Sequence, residues 1–428
     1  MNVADSQRVA STLENLGYKQ TQQPETADVI VLNTCVVRQS AEDKALGRLS
    51  SLKPLKKKNP DLVINLMGCL VGVRQNENLK KRLPYVDVFS APSDSAPLVQ
   101  YLLEQQGKIQ QDQSQEQINA LLDEHLVLPS NEKGNLVSSF ISIVLGCSHA
   151  CTYCIIPSRR GKEISRSPAL ILKEAHDLVA QGVKEITLLG QIVDRYGLDN
   201  PAYPRLDQLI VQLHDIEGLE RIRFLTSHPK YMTDALLDTV ASLPKVMPHI
   251  EVPIQAGDDE ILAAMHRGYT AQEYRTLIAK IRSKIPGASI ATDIIVGFPG
   301  ETDAQFQNTY DLLAELRMDV AHLARYSPRE GTPSARTMPD NVPDEVKWER
   351  FRTLENLQKS IATEIHATYR NGITQVLFEG KQKSRWRGRT PTNKLVFVES
   401  DLDLSGQLLP VKIEWTGPWS MIGSVNEP

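Results

Sequence analysis

Apolar residues fall in short blocks along the chain, separated by longer polar stretches in which they return every three or four positions. Blocks at residues 28–33, 62–67 and 85–89 read as strands, and 39–57 reads as a helix between the first two. Strand–helix alternation of this kind predicts a small parallel α/β domain over residues 1–103. The pattern then stops. Residues 104–117 hold seven glutamines and almost nothing apolar, so 104–135 reads as a linker with one short helix at 118–125. From residue 136 the alternation resumes with a longer period. Strands are predicted at 140–145, 185–189, 221–226, 249–254, 289–296 and 322–326, with helices such as 169–181 and 271–285 between them. Six such units predict a partial (β/α)6 barrel over 136–369, closed by a charged helix from residue 344. Beyond it, β-prone runs at 374–378, 395–398 and 411–415 predict a small antiparallel barrel over 370–428.

Ligands of α/β folds gather at the C-terminal ends of the strands. The residues expected there are Gln191, Ser227, Gln255, Asp293 and the turn Gly297-Phe298-Pro299-Gly300-Glu301. Each polar one reads equally as a satisfied cap, and the turn equally as a tight strand-to-helix connection. Just past the first central strand lie Cys147, Cys151 and Cys154, spaced C-x3-C-x2-C. Three thiolates on so short a loop can each take one iron of a cubane cluster and leave the fourth iron open. Zinc prefers four ligands in two separated pairs, and only His149 is near to complete such a set. The spacing therefore favours an iron–sulfur cluster. The other two of the five cysteines, Cys35 and Cys69, follow the first and second strands of the N-terminal domain. They read as buried core thiols or as ligands, and the strand-end position leaves both open.

C-x3-C-x2-C behind the first strand of such a domain resembles the radical S-adenosylmethionine superfamily. Residues 160–166, Leu189-Gly190-Gln191, Gln255-Ala256-Gly257-Asp258, 265–270, Asp293 and 297–302 are similar to its methylthiotransferase family, as are 33–38 and 67–69 in the first domain. The likeness covers nearly the whole chain, and the C-terminal barrel resembles that family's small RNA-binding TRAM domain. It implies two 4Fe-4S clusters and S-adenosylmethionine as cofactors. Cys147, Cys151 and Cys154 would ligate the catalytic cluster, whose reduced form cleaves the cofactor to a 5′-deoxyadenosyl radical. Cys35 and Cys69 would ligate an auxiliary cluster that carries the inserted sulfur. The chain opens at Met1-Asn2-Val3-Ala4-Asp5-Ser6, so the family's first cysteine and first strand are absent from it; a misplaced start or a truncation is the expected cause. Tyr153 would pack beside the adenine of the cofactor, or serve as a core aromatic. Gln191, Ser227, Gln255, Asp293, Gly297 and Phe298 would line the cofactor pocket. The branch that methylthiolates C2 of N6-isopentenyladenosine beside the tRNA anticodon is nearest in wording. Branches acting on threonylcarbamoyladenosine or on an aspartate of a ribosomal protein are the alternatives. The family implies an electron donor such as flavodoxin or ferredoxin, a sulfur source, and two molecules of S-adenosylmethionine per product; a monomer is expected.

Composition adds two points. The 428 residues carry a formal net charge of -4, so any nucleic-acid contact must come from a local patch. Residues 381–394 hold six basic residues, no acidic one and a tryptophan. Lys383, Arg385, Arg387, Arg389 and Lys394 could meet phosphates while Trp386 stacks on an unpaired base, although a charge run alone is usually a solvated loop. No apolar run approaches the roughly 20 residues of a membrane span, and the start has no signal-peptide pattern, so the cytoplasm is expected.

Overall fold

The structure, a computed structural model, describes residues 1–37, 39–74, 77–107 and 128–426. In the N-terminal domain β1 (Val29–Thr34), β2 (Val63–Gly68) and β3 (Val88–Ser90) form a parallel sheet in that order. Central β2 is buried at every position, as expected of a strand covered on both faces. Its alternate side chains go to opposite layers. Ile64 and Leu66 meet Leu49 and Leu52 of helix Gln39–Lys58. Val63 and Met67 meet Val9 of helix Asn2–Asn15 and Leu98 of helix Ala96–Gln105. The third strand starts later than the sequence predicts because Asp87 is used as a clamp. Its carboxylate accepts from Lys56 Nζ (2.7 Å) and from the backbone N–H of Ile64 (2.8 Å).

The short helix expected at 118–125 lies outside the described residues. The far end of the predicted linker is not free. Leu128 is buried in the central core, and its N–H donates to Gln181 Oε1 at 2.7 Å.

The central domain contains β4 (Ser138–Ser142), β5 (Val144–Leu145), β6 (Ile164–Ser165), β7 (Glu185–Leu189), β8 (Arg221–Leu225), β9 (His249–Glu251), β10 (Ser289–Val296) and β11 (Val320–Arg325). Two parallel triplets, β4-β7-β8 and β9-β10-β11, make the six-stranded partial barrel. They meet through a parallel bridge between Ile222 and Val246 and a bond from Ser227 N–H to Glu251 O (3.0 Å). The predicted strand at 140–145 is split. After Ser142 the chain turns, and β5 pairs antiparallel with β6, so that a hairpin closes the cysteine loop at its base. The strand predicted at 249–254 ends at Glu251, and Pro253, which lacks a donor, follows two residues on.

The C-terminal domain is a closed barrel of β12 (Ile373–Gln382), β13 (Arg385–Arg389), β14 (Leu395–Val398), β15 (Leu408–Thr416) and β16 (Met421–Val425), ordered β12-β13-β14-β16-β15. β13 and β16 are additions to the sequence expectation. The barrel docks at the N-terminal ends of the central strands, opposite the cysteine loop. Arg221 donates to Arg389 O (2.7 Å), and Arg223 to Thr390 O and Pro391 O (both 2.9 Å). Among the described residues no helix is long and apolar enough to cross a membrane.

Candidate active site

The cysteine loop leaves β5 through Gly146. At φ 69° this residue sits in the left-handed region, and a Cβ there would lie 2.1 Å from Lys162 O, so only glycine fits. The loop is then held from outside by residues 264–266 and 334. Thr152 N–H donates to Met265 O (3.2 Å), Thr152 Oγ1 to Ala264 O (2.8 Å), and His266 Nδ1 reaches Ala150 O (3.0 Å). Ser334 N–H closes on Thr152 O at 2.9 Å.

Cys147 and Cys151 are buried and Cys154 is half-buried. Burial raises the thiol pKa of Cys147 and pushes Cys154 up to about 12. Left to themselves these groups stay protonated, so thiolate ligation requires cationic partners. One is present in the chain. Arg267 is buried, donates to Cys151 Sγ at 3.2 Å, and is braced by Pro253 O (3.2 Å) and Tyr269 Oη (2.9 Å). Among the described residues no three His, Cys, Asp or Glu side chains converge on one point for a single ion. In a cubane each thiolate takes a separate iron. The donor set fits an iron–sulfur cluster: three cysteines on one anchored loop, one of them already facing a guanidinium.

Around this loop the strand ends supply polar groups. Ser142 Oγ, Ser227 Oγ and His228 Nε2 are buried without a hydrogen-bond partner, which native interiors rarely tolerate unless a ligand completes them. Thr226 and Gln255 hold positive φ (70° and 80°), a strained state for residues with a Cβ that tends to mark functional rims. Gln255 N–H donates to Asp293 O (2.9 Å), bringing these two predicted residues side by side. Glu251 lies between Thr226 and Asp293, and burial first, then Asp293, raises it to about 7. The His149 ring lies 4.5 Å from that of His228 and reaches Cys151 Sγ (3.3 Å); burial lowers His149 to about 4 and keeps it neutral. The sequence reading gave no role to Arg267, His228, Thr226 or Glu251. A signal exists for two of them: Arg267 lies within the motif at 265–270, and His228 directly follows Ser227 at a strand end.

Other expected cofactor residues are used differently. Gln191 Nε2 donates to Met1 Sδ (2.8 Å), a contact with the N-terminal domain. Phe298 is fully buried edge-on to Tyr326, with ring centroids 5.2 Å apart. Gly297 is left-handed, and a Cβ there would lie 2.3 Å from Lys347 Cγ; its N–H donates to Glu301 Oε2 (2.7 Å). Glu301 in turn pairs with Arg350 at 2.7 Å. The turn therefore seats helix Asp344–Ala367. Tyr153 is half-buried, packed against the central core beside Arg267 and Tyr269, and burial raises its hydroxyl well above the usual range.

The cysteines of the N-terminal domain come close to this loop. Cys35 and Cys69 follow β1 and β2, whose ends are joined by the Cys69 N–H donating to Thr34 O (3.0 Å). Ile155, adjacent to Cys154, packs in the same apolar cluster as Cys69. Val73 N–H also donates to Arg159 O across the boundary (2.9 Å).

The basic run of the C-terminal barrel is largely consumed by its own fold. Residues 385–389 form β13, not a loop. Trp386 is 6% exposed, points into the barrel core and donates from Nε1 to Ser400 O (3.2 Å), so it cannot stack on a base. Lys394 is 4% exposed and pairs with Asp319 of the central domain. Arg385 meets Glu399 (2.8 Å), and Arg387 and Arg389 share Glu379 (2.8 and 3.2 Å). Of the predicted RNA contacts, Lys383 at the hairpin tip is exposed, and Arg385, Arg387 and Arg389 are partly so. The exposed indoles of this barrel are Trp415 (50%) and Trp419 (58%).

Comparison with known proteins agrees with this architecture. Residues 141–313 match the radical SAM superfamily, and residues 1–91 match the uncharacterized protein family UPF0004. A tRNA-2-methylthio-N(6)-dimethylallyladenosine synthase of Chloroflexus aurantiacus is 46% identical over 428 residues, spanning 99% of this chain and 89% of its own. A protein of that name from Dehalococcoides mccartyi (strain CBDB1) is 44% identical over 421 residues, spanning 98% and 95%. The solved radical S-adenosylmethionine methyltransferase TsrM from Kitasatospora setae aligns with a TM-score of 0.57 over 77% of this chain and 70% of its own; at 13% identity that is a likeness of fold. Identity at this level along almost the entire sequence means that the chain belongs to the radical SAM methylthiotransferase family, on the branch of the tRNA-2-methylthio-N(6)-dimethylallyladenosine synthases.

Proposed function

We propose that the protein methylthiolates C2 of N6-isopentenyladenosine beside the anticodon of tRNA, with S-adenosylmethionine and a 4Fe-4S cluster at Cys147, Cys151 and Cys154 and a second cluster at Cys35 and Cys69. The observation that carries this reading is the packing of the two cysteine-bearing segments across the domain boundary, with Ile155, next to Cys154, in the apolar cluster of Cys69. An enzyme that both activates a C–H bond and inserts sulfur needs two such centres within reach of one substrate. When bound, the cluster and S-adenosylmethionine supply the carbon-centred radical that opens an unactivated C–H bond.

The chain's own residues have definable tasks. Arg267 balances the charge of the Cys151 thiolate. The unpartnered Ser142 and Ser227 hydroxyls and His228 Nε2 are donors or acceptors available to a polar cofactor. Neutral His149, tilted against the His228 ring, adds no charge beside the loop. Burial of Cys147 and Cys151 excludes water from the reacting region. The reading also calls for an electron donor such as flavodoxin or ferredoxin and for a sulfur source, with the protein acting as a monomer.

The test is turnover on two tRNAs, one carrying the isopentenyl group and one lacking it, with products identified by mass spectrometry. Methylthio product on the first alone is expected. Full turnover on the second would sink the substrate assignment.

A further inference from the structure

Four segments touch the cysteine loop, and their charge runs against that of the chain. Residues 155–163 continue it, and Gly161 O accepts from Cys147 N–H (3.1 Å). Residues 228–231 bring the His228 ring to 4.5 Å and the Tyr231 ring to 6.5 Å from that of His149. Residues 264–268 bond the loop through Ala264, Met265, His266 and Arg267. Residues 332–338 bond it through Ser334 N–H. These segments carry Arg159, Arg160, Lys162, Lys230, Arg267 and Arg336 against the single acid Glu163, in a protein of 48 basic and 52 acidic residues.

Two of the six cations are used inside the fold. Arg267 donates to Cys151 Sγ (3.2 Å), and Arg160 to Asn2 Oδ1 (2.9 Å) and Ser93 Oγ (3.4 Å) of the N-terminal domain. Glu163 is buried and taken by Arg195 at 2.7 Å. Among the described residues no carboxylate is bound to the other four. Lys162, Lys230 and Arg336 are exposed, and Arg159 is half-buried with its Nε unpartnered. Backbone fixes their places. Lys162 O faces Gly146 at the root of the loop. Lys230 N–H donates to His228 Nδ1 (3.2 Å), and its Nζ lies 4.0 Å from where a Cβ on Gly268 would be. Arg336 follows Ser334 in helix Pro333–Thr337. Arg159 O accepts from Val73 N–H (2.9 Å). Of the acids flanking the fourth segment in sequence, Asp340 is paired with Lys347 (2.6 Å) and Glu330 is exposed.

Cations without acidic partners at the mouth of a site attract an anion. A ring carbon of an RNA base reaches a buried centre only when its nucleotide leaves the stack, which draws the flanking phosphates to the rim. We propose that Arg159, Lys162, Lys230 and Arg336 form a phosphate-binding rim around the catalytic loop, gripping the RNA backbone beside the nucleotide that enters. This rests on the tRNA reading above and names the surface the substrate meets. The contrast with the C-terminal barrel favours it: there Arg385, Arg387 and Arg389 already hold Glu399 and Glu379, whereas a phosphate arriving at the rim displaces no ion pair.

The experiment measures Kd of the full chain, reconstituted anaerobically, for tRNA carrying N6-isopentenyladenosine over a series of salt concentrations. Lys162→Gln, Lys230→Gln and Arg336→Gln are read singly and together, with Lys133→Gln, before β4, as the control. Each single rim variant is expected to bind about three- to tenfold more weakly and to lower the slope of log Kd against log salt by about 0.7–0.9. The triple variant should lower that slope by about 2, at wild-type iron content, and the control should not move it. The losses should be equal on tRNA lacking the isopentenyl group, since phosphate contacts carry no base information. Arg336→Lys should keep the wild-type slope. A triple variant with wild-type Kd and slope overturns the inference. So does weaker binding without a change of slope, or with loss of iron, since either marks these side chains as scaffold. If the wild type binds tRNA with no salt dependence or not at all, the tRNA reading fails with it. If the wild type binds and only Lys383→Gln with Arg387→Gln lowers the slope, the tRNA reading stands and this inference alone fails.

Discussion

The cysteine loop at 147–154 and the basic run at 381–394 are both short stretches in which one chemistry recurs, and the fold treats them in opposite ways. The loop lies at the C-terminal rim of the central barrel, anchored from outside through backbone, so its thiols are left for a ligand. In the basic run the side chains themselves do the anchoring. Arg385, Arg387 and Arg389 meet Glu399 and Glu379, and Lys394 crosses to Asp319 at the far end of the same barrel. The lesson is one of partners. Three neighbouring thiols have little to do in a protein except bind one another or a metal. A guanidinium is satisfied by any carboxylate, and 52 acidic residues are available elsewhere in the sequence.

The sharpest way to break this contrast is at the loop. Cys151→Ala is expected to abolish methylthio product and to lose about four irons while far-ultraviolet circular dichroism stays that of the wild type. Measurable turnover would mean that the thiols are not a ligand set.

Next in size is Lys394→Met. It strands Asp319 next to a buried interface and is expected to destabilise the protein by about 3–5 kcal/mol in urea unfolding. Affinity of the folded variant for tRNA should be unchanged. Unchanged stability with weakened tRNA binding would return Lys394 to the RNA surface.

The rim carries a charge of its own at Glu251, whose carboxyl sits at about 7 against an ordinary 4.5. A carboxyl raised in the folded state stabilises it below the unfolded value, and that contribution is lost as pH climbs from about 4.5 through about 7. Between pH 4 and pH 8 the wild type should therefore lose on the order of 3 kcal/mol relative to Glu251→Gln. Paired urea curves at the two pH values check it, and a difference independent of pH would mean that the carboxylate is well hydrated.

The smallest effect sharpens the other half of the comparison. Trp419→Ala should weaken tRNA binding by about 1 kcal/mol, in the range of one stacked base, with stability intact. Trp386→Ala should cost about 3 kcal/mol or more of stability, as expected for emptying a core position. The reverse pattern would restore Trp386 as the stacking residue.

The strands at 185–189 and 289–296 were legible to the residue, because each is a short run rich in β-branched residues bounded by glycines, Gly182 and Gly190 for the first and Gly287 and Gly297 for the second. The cysteine spacing was legible for a related reason: a short loop fixes how far apart its thiols can be. β13 was not, since Arg385, Arg387 and Arg389 alternate with Trp386 and Gly388, and a strand of arginines is recognisable only once Glu379 and Glu399 are opposite it. The role of Gly297 was also hidden, because Lys347, fifty residues away, is what fills the space over it. By itself the sequence indicated the three units and the C-x3-C-x2-C loop, which rest on local periodicity and spacing, and the family through the motifs that resemble it. Tertiary structure alone decided which polar groups remain free: it buried Trp386 and Lys394, left Ser142 and Ser227 without partners, and carried Arg160 across to Asn2 and Ser93. Whether a polar side chain is satisfied depends on what lies within about 3 Å of it, and in a folded chain that neighbour is usually remote in sequence.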